Sequence, residues 1–255
     1  MKRSRQLIVL HPSPWSERAR WALDHHGLEY DAVDHMPIVG ERRLRKLSGR
    51  QKERVTVPVL VVDGNAHCES WDIALYADRE GTRDKLMPAG LEAEIRQWNQ
   101  VADAGMGGVR ARVFAKMLES GGALDASAPS FVPKWLRPAL RPVARLTIRQ
   151  LQRKYQARSD EGATHVMQLR GALDRLRDVL VTRRPDAPYI LGRFTYADIA
   201  MATLVQGVLP VEDRFLRLAS ALREVWTERS LVREYDDLVK WRDTIYDRHR
   251  YAKPN

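Results

Sequence analysis

Hydrophobic and polar positions in the first 80 residues follow two periods in alternation. The short apolar run Gln6–Leu10 predicts a strand, and apolar residues at helical spacing predict a helix over Pro14–His26, with Gly27 well placed as its end. Glu29–Val33 predicts a second strand, and Glu41–Lys46 predicts a short basic helix. The chain therefore opens with a strand, a helix, a second strand and a second helix.

A hairpin and a third helix complete this part of the pattern. Val57–Val62 is apolar, Asp63-Gly64-Asn65 has the composition of a tight turn, and a short return strand follows. Ser70–Arg79 is again helical in its spacing, and Gly81–Gly90 has the glycine and proline content of a linker. The predicted order is βαβ, then α, then ββα.

Beyond the linker the pattern predicts helices only. The helical segments are Leu91–Leu118, Trp135–Arg158, Gly162–Arg184, Thr195–Leu209, Asp213–Trp226 and Ser230–Arg248, with a break rich in Gly, Ala, Ser and Pro at Ser120–Pro133. Because an interior proline disrupts a helix, we expect the regular helix after the break to begin near Pro142. The pattern predicts an α+β protein with two domains, at 1–82 and at 91–255, and a basic, proline-containing insert near 119–158.

Length and composition fit a soluble globular protein with one large domain or two smaller ones. The chain has 255 residues, 44% of them apolar and 30% charged, and no apolar run of about 18 residues that could span a membrane. After the basic start "MKRSR", the apolar run Leu7–Leu10 is too short for a signal peptide, so we expect a cytoplasmic protein. Cys68 is the only cysteine, which excludes an intrachain disulfide, a CxxC pair and a cysteine-built zinc site, and we expect no metal.

The charge balance favours anionic partners. Lys and Arg number 43 against 33 Asp and Glu, and 43 − 33 gives a formal net charge of +10. Such an excess favours a carboxylate-bearing ligand, nucleic acid or a lipid surface. The sequence has no stacking motif, helix-turn-helix signature or zinc knuckle, so we expect no nucleic-acid partner.

Candidate chemistry lies at three junctions of the first 80 residues. Ser13 stands where a strand ends and a helix begins, so its hydroxyl would lie near unpaired backbone N–H groups at the positive end of the helix dipole, which stabilises an anion. Ser16 is a second hydroxyl in the same stretch and could take that role instead. In isolation both serines are ordinary N-cap residues.

The other two junctions offer backbone and side-chain partners for a peptide. Pro58 interrupts a β-like run, and a cis Val57–Pro58 bond would leave the Val57 N–H and carbonyl free to pair with an extended ligand. At Glu69-Ser70, backbone N–H groups can take a ligand carboxylate while the Glu69 side chain accepts from an ammonium group. Taken together, the three junctions predict a site for a small zwitterionic peptide that carries a thiol.

Four stretches of the sequence resemble soluble glutathione transferases. "SPWSERARWALDHHGLEY", "VPVL" and "CESWDIALYAD", in this order and spacing, resemble the thioredoxin-like N-terminal domain of that family. "GRFTYADIAMATLV" resembles the helix-start signature of the family's all-helical C-terminal domain, with Thr195 as N-cap and Asp198 three residues later. The resemblance implies a thioredoxin-like domain followed by a helical bundle, and a homodimer.

The resemblance also implies the roles of the candidate residues. Ser13 would donate to the sulfur of glutathione, Val57 with Pro58 would hold its cysteinyl backbone, and Glu69 with Ser70 would bind its γ-glutamyl end. Where relatives carry a basic residue before the proline this chain has Val55 and Thr56, so the glycyl carboxylate would need Lys52, Arg54 or the basic cluster Arg42–Lys46. The implied activity is that of a transferase in detoxification, which adds the glutathione thiolate to a small electrophile.

The second substrate is expected between the two domains. We predict that Trp15 on the first helix, with Met106 and Arg110 in "DAGMGGVRARVF", contacts this electrophile, because the glycines of that stretch lower side-chain bulk. Close helix packing explains the same glycines.

The basic segment after the break keeps a second functional class open. In "KWLRPALRPVARLTIRQLQRKYQARS" arginines recur every four residues from Arg137 to Arg153, with Arg158 beyond, and Leu136, Val143 and Leu146 belong to the apolar set. A solvated helix face, a lid over the electrophile site and an anionic membrane surface contacted by Phe131 and Trp135 all fit this pattern. The alternative to an enzyme is a non-catalytic binding module that meets a membrane surface or a protein partner through 134–158.

Overall fold

The computed structural model describes residues 4–37, 39–49, 55–129, 131–155 and 162–250. Its first part consists of β1 (Arg5–Val9), α1 (Pro14–His25), β2 (Asp31–Asp34), α2 (Glu41–Ser48), β3 (Val59–Val62), β4 (Asn65–Cys68) and α3 (Ser70–Glu80). This order confirms the predicted succession βαβ, α, ββα.

The four strands form one sheet in the order β2-β1-β3-β4. β1 and β2 are parallel, and the β1–β3 and β3–β4 pairs are antiparallel. Because successive strand residues point to opposite faces, Ile8 packs in a cluster with Leu44 of α2 and Cys68, while the buried Leu7 faces the other side. The predicted α+β class is confirmed.

A buried polar contact joins the end of α1 to α3. His26 Nε2 lies 2.7 Å from Asp78 Oδ1, and the carboxylate also accepts from the backbone N–H groups of Leu86 and Met87. Burial raises the pKa of Asp78, but these hydrogen bonds outweigh it and hold the pKa below its ordinary value. A Cβ atom at Gly81 would lie 2.3 Å from Cγ of His26, so this position has no room for a side chain.

Among the described residues, only helical elements follow α3. They are α4 (Glu92–Glu119), α5 (Gly121–Ala126), a 3₁₀ helix (Lys134–Leu140), α6 (Arg141–Lys154), α7 (Gly162–Leu180), α8 (Tyr196–Val205), α9 (Ser220–Trp226), α10 (Arg229–Glu234) and α11 (Asp236–His249). The predicted helical character of this part is confirmed. In the described ranges, none of these helices is both long and apolar enough to cross a bilayer.

The region predicted as a break and insert contains more regular structure than expected. α5 lies inside the break, where Ser120 caps it by accepting from the Ala123 N–H at 3.2 Å. A 3₁₀ helix occupies Lys134–Leu140, and α6 begins at Arg141 with Pro142 in its first turn. The expected start of the regular helix near Pro142 is therefore confirmed.

α9 is shorter than its pattern predicts. The helix expected from Asp213 begins at Ser220, and the segment before it is a loop. The guanidinium of Arg223 donates to the carbonyls of Pro210 and Val211 at 3.2 and 2.9 Å and pairs with the Asp213 carboxylate. These contacts give two backbone carbonyls and one carboxylate of the loop a partner on α9.

The last predicted helix is two helices that meet at Tyr235. This residue ends α10 with non-helical backbone angles, φ −119° and ψ 34°, and its ring is fully buried. Its hydroxyl donates to Asp174 Oδ1 of α7 at 2.8 Å. The interruption thus coincides with a fixed contact to a neighbouring helix.

The chain forms two compact units, and each of them contains segments that are not adjacent in the sequence. The first comprises Met1–Trp98, Tyr189–Thr203 and Ile245–Asn255, and the second comprises Asn99–Pro188 and Leu204–Thr244. The division into domains 1–82 and 91–255 stays a prediction.

The helix-start signature forms a cap within the first unit. The Asp198 carboxylate accepts from the backbone N–H groups of Ile190 and Thr195 at 2.9 and 2.8 Å, and from the Thr195 hydroxyl at 3.1 Å. Burial raises the pKa of Asp198 to about 7, although these donated hydrogen bonds lower it. The predicted cap of α8 is confirmed.

Glycine on α4 serves helix packing in the second unit. A Cβ atom at Gly105 would lie 3.1 Å from Ala172 of α7 and from Leu204 of α8. The structure thus favours the packing explanation for this glycine over the expectation of room for a ligand.

Candidate functional site

Strand register brings the three candidate junctions to one edge of the sheet. Val59 at the start of β3 pairs with Ile8 near the end of β1 and with Cys68 at the end of β4. The loop after β1, the residues before β3 and the residues after β4 therefore lie at the same edge. These segments carry Ser13, Val57-Pro58 and Glu69-Ser70.

Ser13 is the N-cap of α1 and lies in the loop that leaves this edge. Its N–H donates to the Leu10 carbonyl at 3.0 Å, and its own carbonyl accepts from the Glu17 N–H at 3.0 Å. The Ser16 N–H lies 3.5 Å from Ser13 Oγ, a long and weak capping contact. Among the described residues, the Ser13 hydroxyl donates to no other group. A half-buried hydroxyl with its proton available therefore lies at the positive end of the α1 dipole.

Ser16 has a different environment from Ser13. Its side chain is fully buried, with 0% exposure, and Oγ accepts from the Leu10 N–H at 3.1 Å. The hydroxyl satisfies a backbone group that β1 leaves without a strand partner. The structure therefore gives Ser16 a structural role in the loop and leaves Ser13 as the candidate for contact with a ligand.

The Val57–Pro58 peptide bond is cis, as predicted. Pro58 is buried, while Val57 is half-buried and packs against the cluster that contains Ile8. In the described part of the chain, no backbone hydrogen bond reaches the N–H or the carbonyl of Val57. Both groups thus have the capacity to pair with an extended peptide at this edge.

Glu69 has a backbone conformation that residues with a Cβ seldom adopt. Its φ is 72° and its ψ is 146°, and it is the exposed residue at the N-terminus of α3, followed by the buried Ser70. Such conformations cost about 1–3 kcal/mol and cluster at functional sites. The Thr56 hydroxyl donates to Glu69 Oε1 at 3.4 Å, which ties the residue before Val57 to this carboxylate.

Thr56 contacts the candidate site, and the sequence did not predict this contact. The sequence marked it only as the place where relatives carry a basic residue. Its contact with Glu69 depends on the register of β3 against β4, which the hairpin turn Asp63-Gly64-Asn65 could have indicated.

α2 brings positive charge to the same part of the first unit. Leu44 and Leu47 of this helix pack in the cluster that includes Val57. The exposed side chains of α2 are basic, namely Arg42, Arg43, Arg45 and Lys46. Lys52 and Arg54, the other predicted contacts for a carboxylate, lie outside the described residues.

The predicted contacts with the second substrate fall in both compact units. In the first unit Trp15 is half-buried on α1, and the Arg18 guanidinium lies 5.8 Å from its ring centroid. In the second unit Met106 is almost fully buried, and the Arg110 guanidinium lies 4.1 Å over the Tyr155 ring. Substrate binding by these three residues stays a prediction, and for Met106 the structure shows a packing role.

A bound metal ion would require several ligating side chains close together. No group of three or more His, Cys, Asp and Glu side chains within the described ranges is arranged to hold one. The candidate site offers hydroxyl, carboxylate and backbone groups.

Residues 12–80 match the family model described as the glutathione S-transferase N-terminal domain. This match covers the loop of Ser13, the cis-proline and Glu69-Ser70. The chain has the glutathione S-transferase fold. Among curated proteins no relative matches the chain.

Solved structures show the same fold over nearly the whole chain. Glutathione transferase GSTFuA3 from Phanerochaete chrysosporium is 16% identical, with a TM-score of 0.66 and coverage of 98% of this chain and 99% of that one. A glutathione S-transferase of Ceriporiopsis subvermispora, solved in complex with glutathione, is 14% identical, with a TM-score of 0.64 and coverage of 99% and 100%. The β-etherase LigF from Sphingobium sp. strain SYK-6 is 20% identical, with a TM-score of 0.56 and coverage of 95% of each chain. The glutathione S-transferase fold of this chain thus includes both its thioredoxin-like first domain and its helical remainder.

Proposed function

We propose that this protein binds glutathione at the edge defined by Ser13, Val57 and Glu69 and transfers the glutathionyl group to a small electrophile. The observation that carries the proposal is the Ser13 hydroxyl, which donates to no described group and lies at the N-terminus of α1. The fold supports it, since a neighbour of the same fold was solved in complex with glutathione. Fold alone does not specify a reaction, so the argument depends on the geometry of the site.

Each part of the tripeptide has a counterpart at this edge. The N–H and carbonyl of Val57 would pair with the cysteinyl backbone in the manner of an added strand. The Glu69 carboxylate would accept from the γ-glutamyl ammonium, and the N-terminus of α3 at Ser70 would receive the γ-glutamyl carboxylate. The arginines of α2 are our candidates for the glycyl carboxylate.

Ser13 would act by stabilising an anion. A free thiol has a pKa of about 8.5, and each unit by which the pKa falls corresponds to about 1.4 kcal/mol in favour of the thiolate. One hydroxyl donor at a helix N-terminus is sufficient to lower the pKa by about one to two units. Ser13 need not accept the thiol proton, which passes to solvent.

The proposed reaction forms one bond to sulfur. In a substitution the thiolate lone pair forms a carbon–sulfur bond, and the leaving group departs with the electron pair of the bond that breaks. In an addition to a conjugated double bond, the electron pair moves to the neighbouring carbon, which then takes a proton from solvent. Detoxification, the homodimer and the cytoplasmic location stay predictions beside this proposal.

The deciding experiment measures thiolate absorbance of bound glutathione as a function of pH. In Ser13→Ala the apparent pKa of the bound thiol should rise by about one to two units, because the sulfur loses its donor. Glutathione affinity should change little at a pH below both pKa values, where the bound thiol is protonated, while turnover of an aryl halide at neutral pH should fall. The proposal fails if the pKa of the bound thiol is the same in Ser13→Ala and in the parent.

Two further serine variants separate this effect from loss of a cap. Ser120 also caps a helix, and Ser120→Ala should leave the thiol pKa unchanged. Ser16→Ala leaves the Leu10 N–H without its acceptor, so it should lower stability by about 1–3 kcal/mol and keep the parental thiol pKa. If Ser16→Ala abolishes the thiolate signal and Ser13→Ala preserves it, the assignment of Ser13 is wrong.

A further inference from the structure

The second compact unit exposes an unusual set of large apolar side chains. We call residues 131–155, which contain the 3₁₀ helix and α6, the basic segment. Within it Phe131 is 77% exposed, Trp135 80%, Val143 60% and Leu146 56%. Soluble proteins scatter single exposed apolar residues, whereas a concentration in one short segment marks an interaction surface.

The outward face of α6 combines these apolar side chains with arginine. Val143 and Leu146 are three residues apart and share a helix face, while Ile148 is buried. Arg149 and Arg153 are exposed, and, at three and seven residues after Leu146, they lie on the same helix face as Leu146. Val143 and Leu146 of the predicted apolar set thus face solvent.

The basic segment has no acidic residue. Between Asp125 and Asp160 the sequence contains neither Asp nor Glu, while the basic segment contains Lys134, Arg137, Arg141, Arg145, Arg149, Arg153 and Lys154, and Arg158 follows it. Arg158 lies outside the described residues. Arg141 forms a two-pronged ion pair with Asp125 at 2.8 and 2.6 Å, which anchors the start of α6. Most of the chain's net charge of +10 therefore belongs to one short stretch.

We propose that the basic segment attaches the protein to an anionic lipid bilayer, with α6 in the plane of the interface. Exposed Trp and Phe side chains favour the headgroup region, and arginines beside an apolar face bind anionic lipid. A second copy of the chain is disfavoured, because two basic segments without acidic residues would repel each other. Nucleic acid would satisfy the charge but offers no apolar interior for Val143 and Leu146.

Vesicle co-sedimentation without glutathione tests this proposal independently of the proposed reaction. The full chain should sediment with phosphatidylcholine vesicles that contain phosphatidylglycerol and stay in solution with pure phosphatidylcholine. Raising the salt from about 0.1 M to about 1 M shortens the screening length from about 10 Å to about 3 Å and should release the protein. Attachment to both vesicle types alike, or to neither, would overturn the proposal.

Paired variants identify the surface. The double variant Arg149→Gln with Arg153→Gln should lower the partition coefficient about 25-fold, since each arginine near an anionic surface contributes about fivefold, or about 1 kcal/mol. The double variant Val143→Ser with Leu146→Ser should lower it about tenfold or more, because two apolar side chains lose their burial. All four residues are exposed, so thermal unfolding should match the parent.

Matched controls use exposed residues elsewhere in the second unit. Arg183→Gln with Arg233→Gln removes the same charge, and Val181→Ser removes an apolar side chain that is even more exposed than Val143 and Leu146. Both controls should keep the parental partition coefficient. The proposal is overturned if the controls lose attachment as much as the test variants. It is also overturned if the double variant Val143→Ser with Leu146→Ser has a lower particle mass than the parent in light scattering, because these side chains would then form an interface between copies of the chain.

Discussion

At the scale of single residues, Glu69 combines backbone strain with a candidate ligand contact. Its positive φ of 72° disfavours every residue except glycine, and its carboxylate accepts from Thr56 at the sheet edge. Glu69 thus has a backbone conformation that destabilises the fold, and it presents a carboxylate at the candidate site. We infer that the strained conformation serves ligand binding. Stability and binding should therefore respond in opposite directions when Glu69 is replaced by glycine.

Glu69→Gly should stabilise the protein and weaken glutathione binding. Relief of about 1–3 kcal/mol of strain, less up to about 1 kcal/mol for the greater freedom of glycine in the unfolded chain, leaves a net gain of about 1 kcal/mol. Loss of the hydrogen bond to the ligand ammonium should reduce affinity about tenfold or more. Urea unfolding and calorimetric titration with glutathione measure the two effects.

Glu69→Ala is the matched control for this prediction. It removes the carboxylate and keeps the strained backbone, so it should weaken binding equally without the gain in stability. Unchanged affinity in both variants would exclude Glu69 from the site. A Glu69→Gly variant that is less stable than Glu69→Ala by about 1 kcal/mol, the cost of glycine in the unfolded chain, would show that the backbone carries no strain.

Single residues of the site differ in how far the sequence could predict them. Ser13, Val57 and Glu69 stand at strand ends, so their positions followed from periodicity and from the family resemblance. The burial of Ser16 and the contact of Thr56 did not follow, because the first depends on the path of the loop back to the Leu10 N–H and the second on Glu69, a residue after the neighbouring strand. Local pattern therefore predicts where a functional group is located better than it predicts what that group contacts.

At the scale of elements, one carboxylate joins α4 to the junction of α9 and α10. Glu228 accepts from Arg112 and Lys116 of α4, each at 3.0 Å, while Arg112 also donates to the Trp226 carbonyl at 2.9 Å. Burial raises the pKa of Glu228, but hydrogen bonds from Lys116, Arg112 and Ser230 outweigh it and lower the pKa to about 2. A pKa lowered by folding stabilises the native state above the unfolded pKa, and this contribution disappears as pH falls through the folded value.

Glu228→Gln should therefore reduce stability at neutral pH and not at strongly acidic pH. We expect a loss of about 1–2 kcal/mol above pH 5, reduced from the full linkage value because the pair is partly exposed. The difference from the parent should vanish as pH falls from about 4.3, the ordinary glutamate pKa, toward about 2. Urea unfolding at several pH values measures it.

Glu212→Gln provides the comparison, since Glu212 pairs with Arg214 at the surface with both side chains more than half exposed. This variant should change stability by less than about 0.5 kcal/mol at any pH. A loss for Glu228→Gln that persists unchanged at pH 2 would contradict the ionic origin of the contact.

Elements with a strong period were predictable, and short ones were not. The hairpin, α1 and α4 followed from apolar spacing and from turn residues. α5 has six residues, rich in glycine and alanine, so its composition indicated a break. The late start of α9 depends on the Arg223 side chain, which binds carbonyls ten or more residues before it, and no local window contains that information.

At the scale of the whole molecule, the first compact unit contains both ends of the described chain. Arg250, just after α11, donates to Glu17 Oε1 at 2.7 Å and to Asp24 Oδ2 at 2.8 Å, both on α1. All three side chains are almost fully buried. Replacing one member of a buried ionic group by a neutral residue leaves the other charges buried without a partner. Such a substitution strongly lowers the free energy of unfolding.

Arg250→Met should destabilise the protein by about 3 kcal/mol, the lower end of the range for a broken buried pair, because Arg20 still contacts Glu17. Urea unfolding measures the change. Lys240→Met breaks an exposed pair with Asp236 and should alter stability by less than about 0.5 kcal/mol. Equal effects of the two variants would show that burial of Arg250 contributes nothing.

The two compact units combine segments that chain order separates. Periodicity follows chain order, and it placed 91–255 together. The contacts of Arg250 with α1, and of Tyr196 with the Leu86 carbonyl at 2.8 Å, associate later segments with the first unit. Such long-range contacts depend on three-dimensional packing, which a one-dimensional pattern does not record.

Gly81 shows how this packing restricts the residues that one position can accept. Its hydrogen faces the root of the His26 ring, where even a methyl group would overlap with atoms that cannot rotate away. In a library that samples every amino acid at each position, position 81 should accept glycine and reject alanine, a substitution that most surface turns tolerate. A residue with no chemistry of its own would thus be among the least replaceable in the chain.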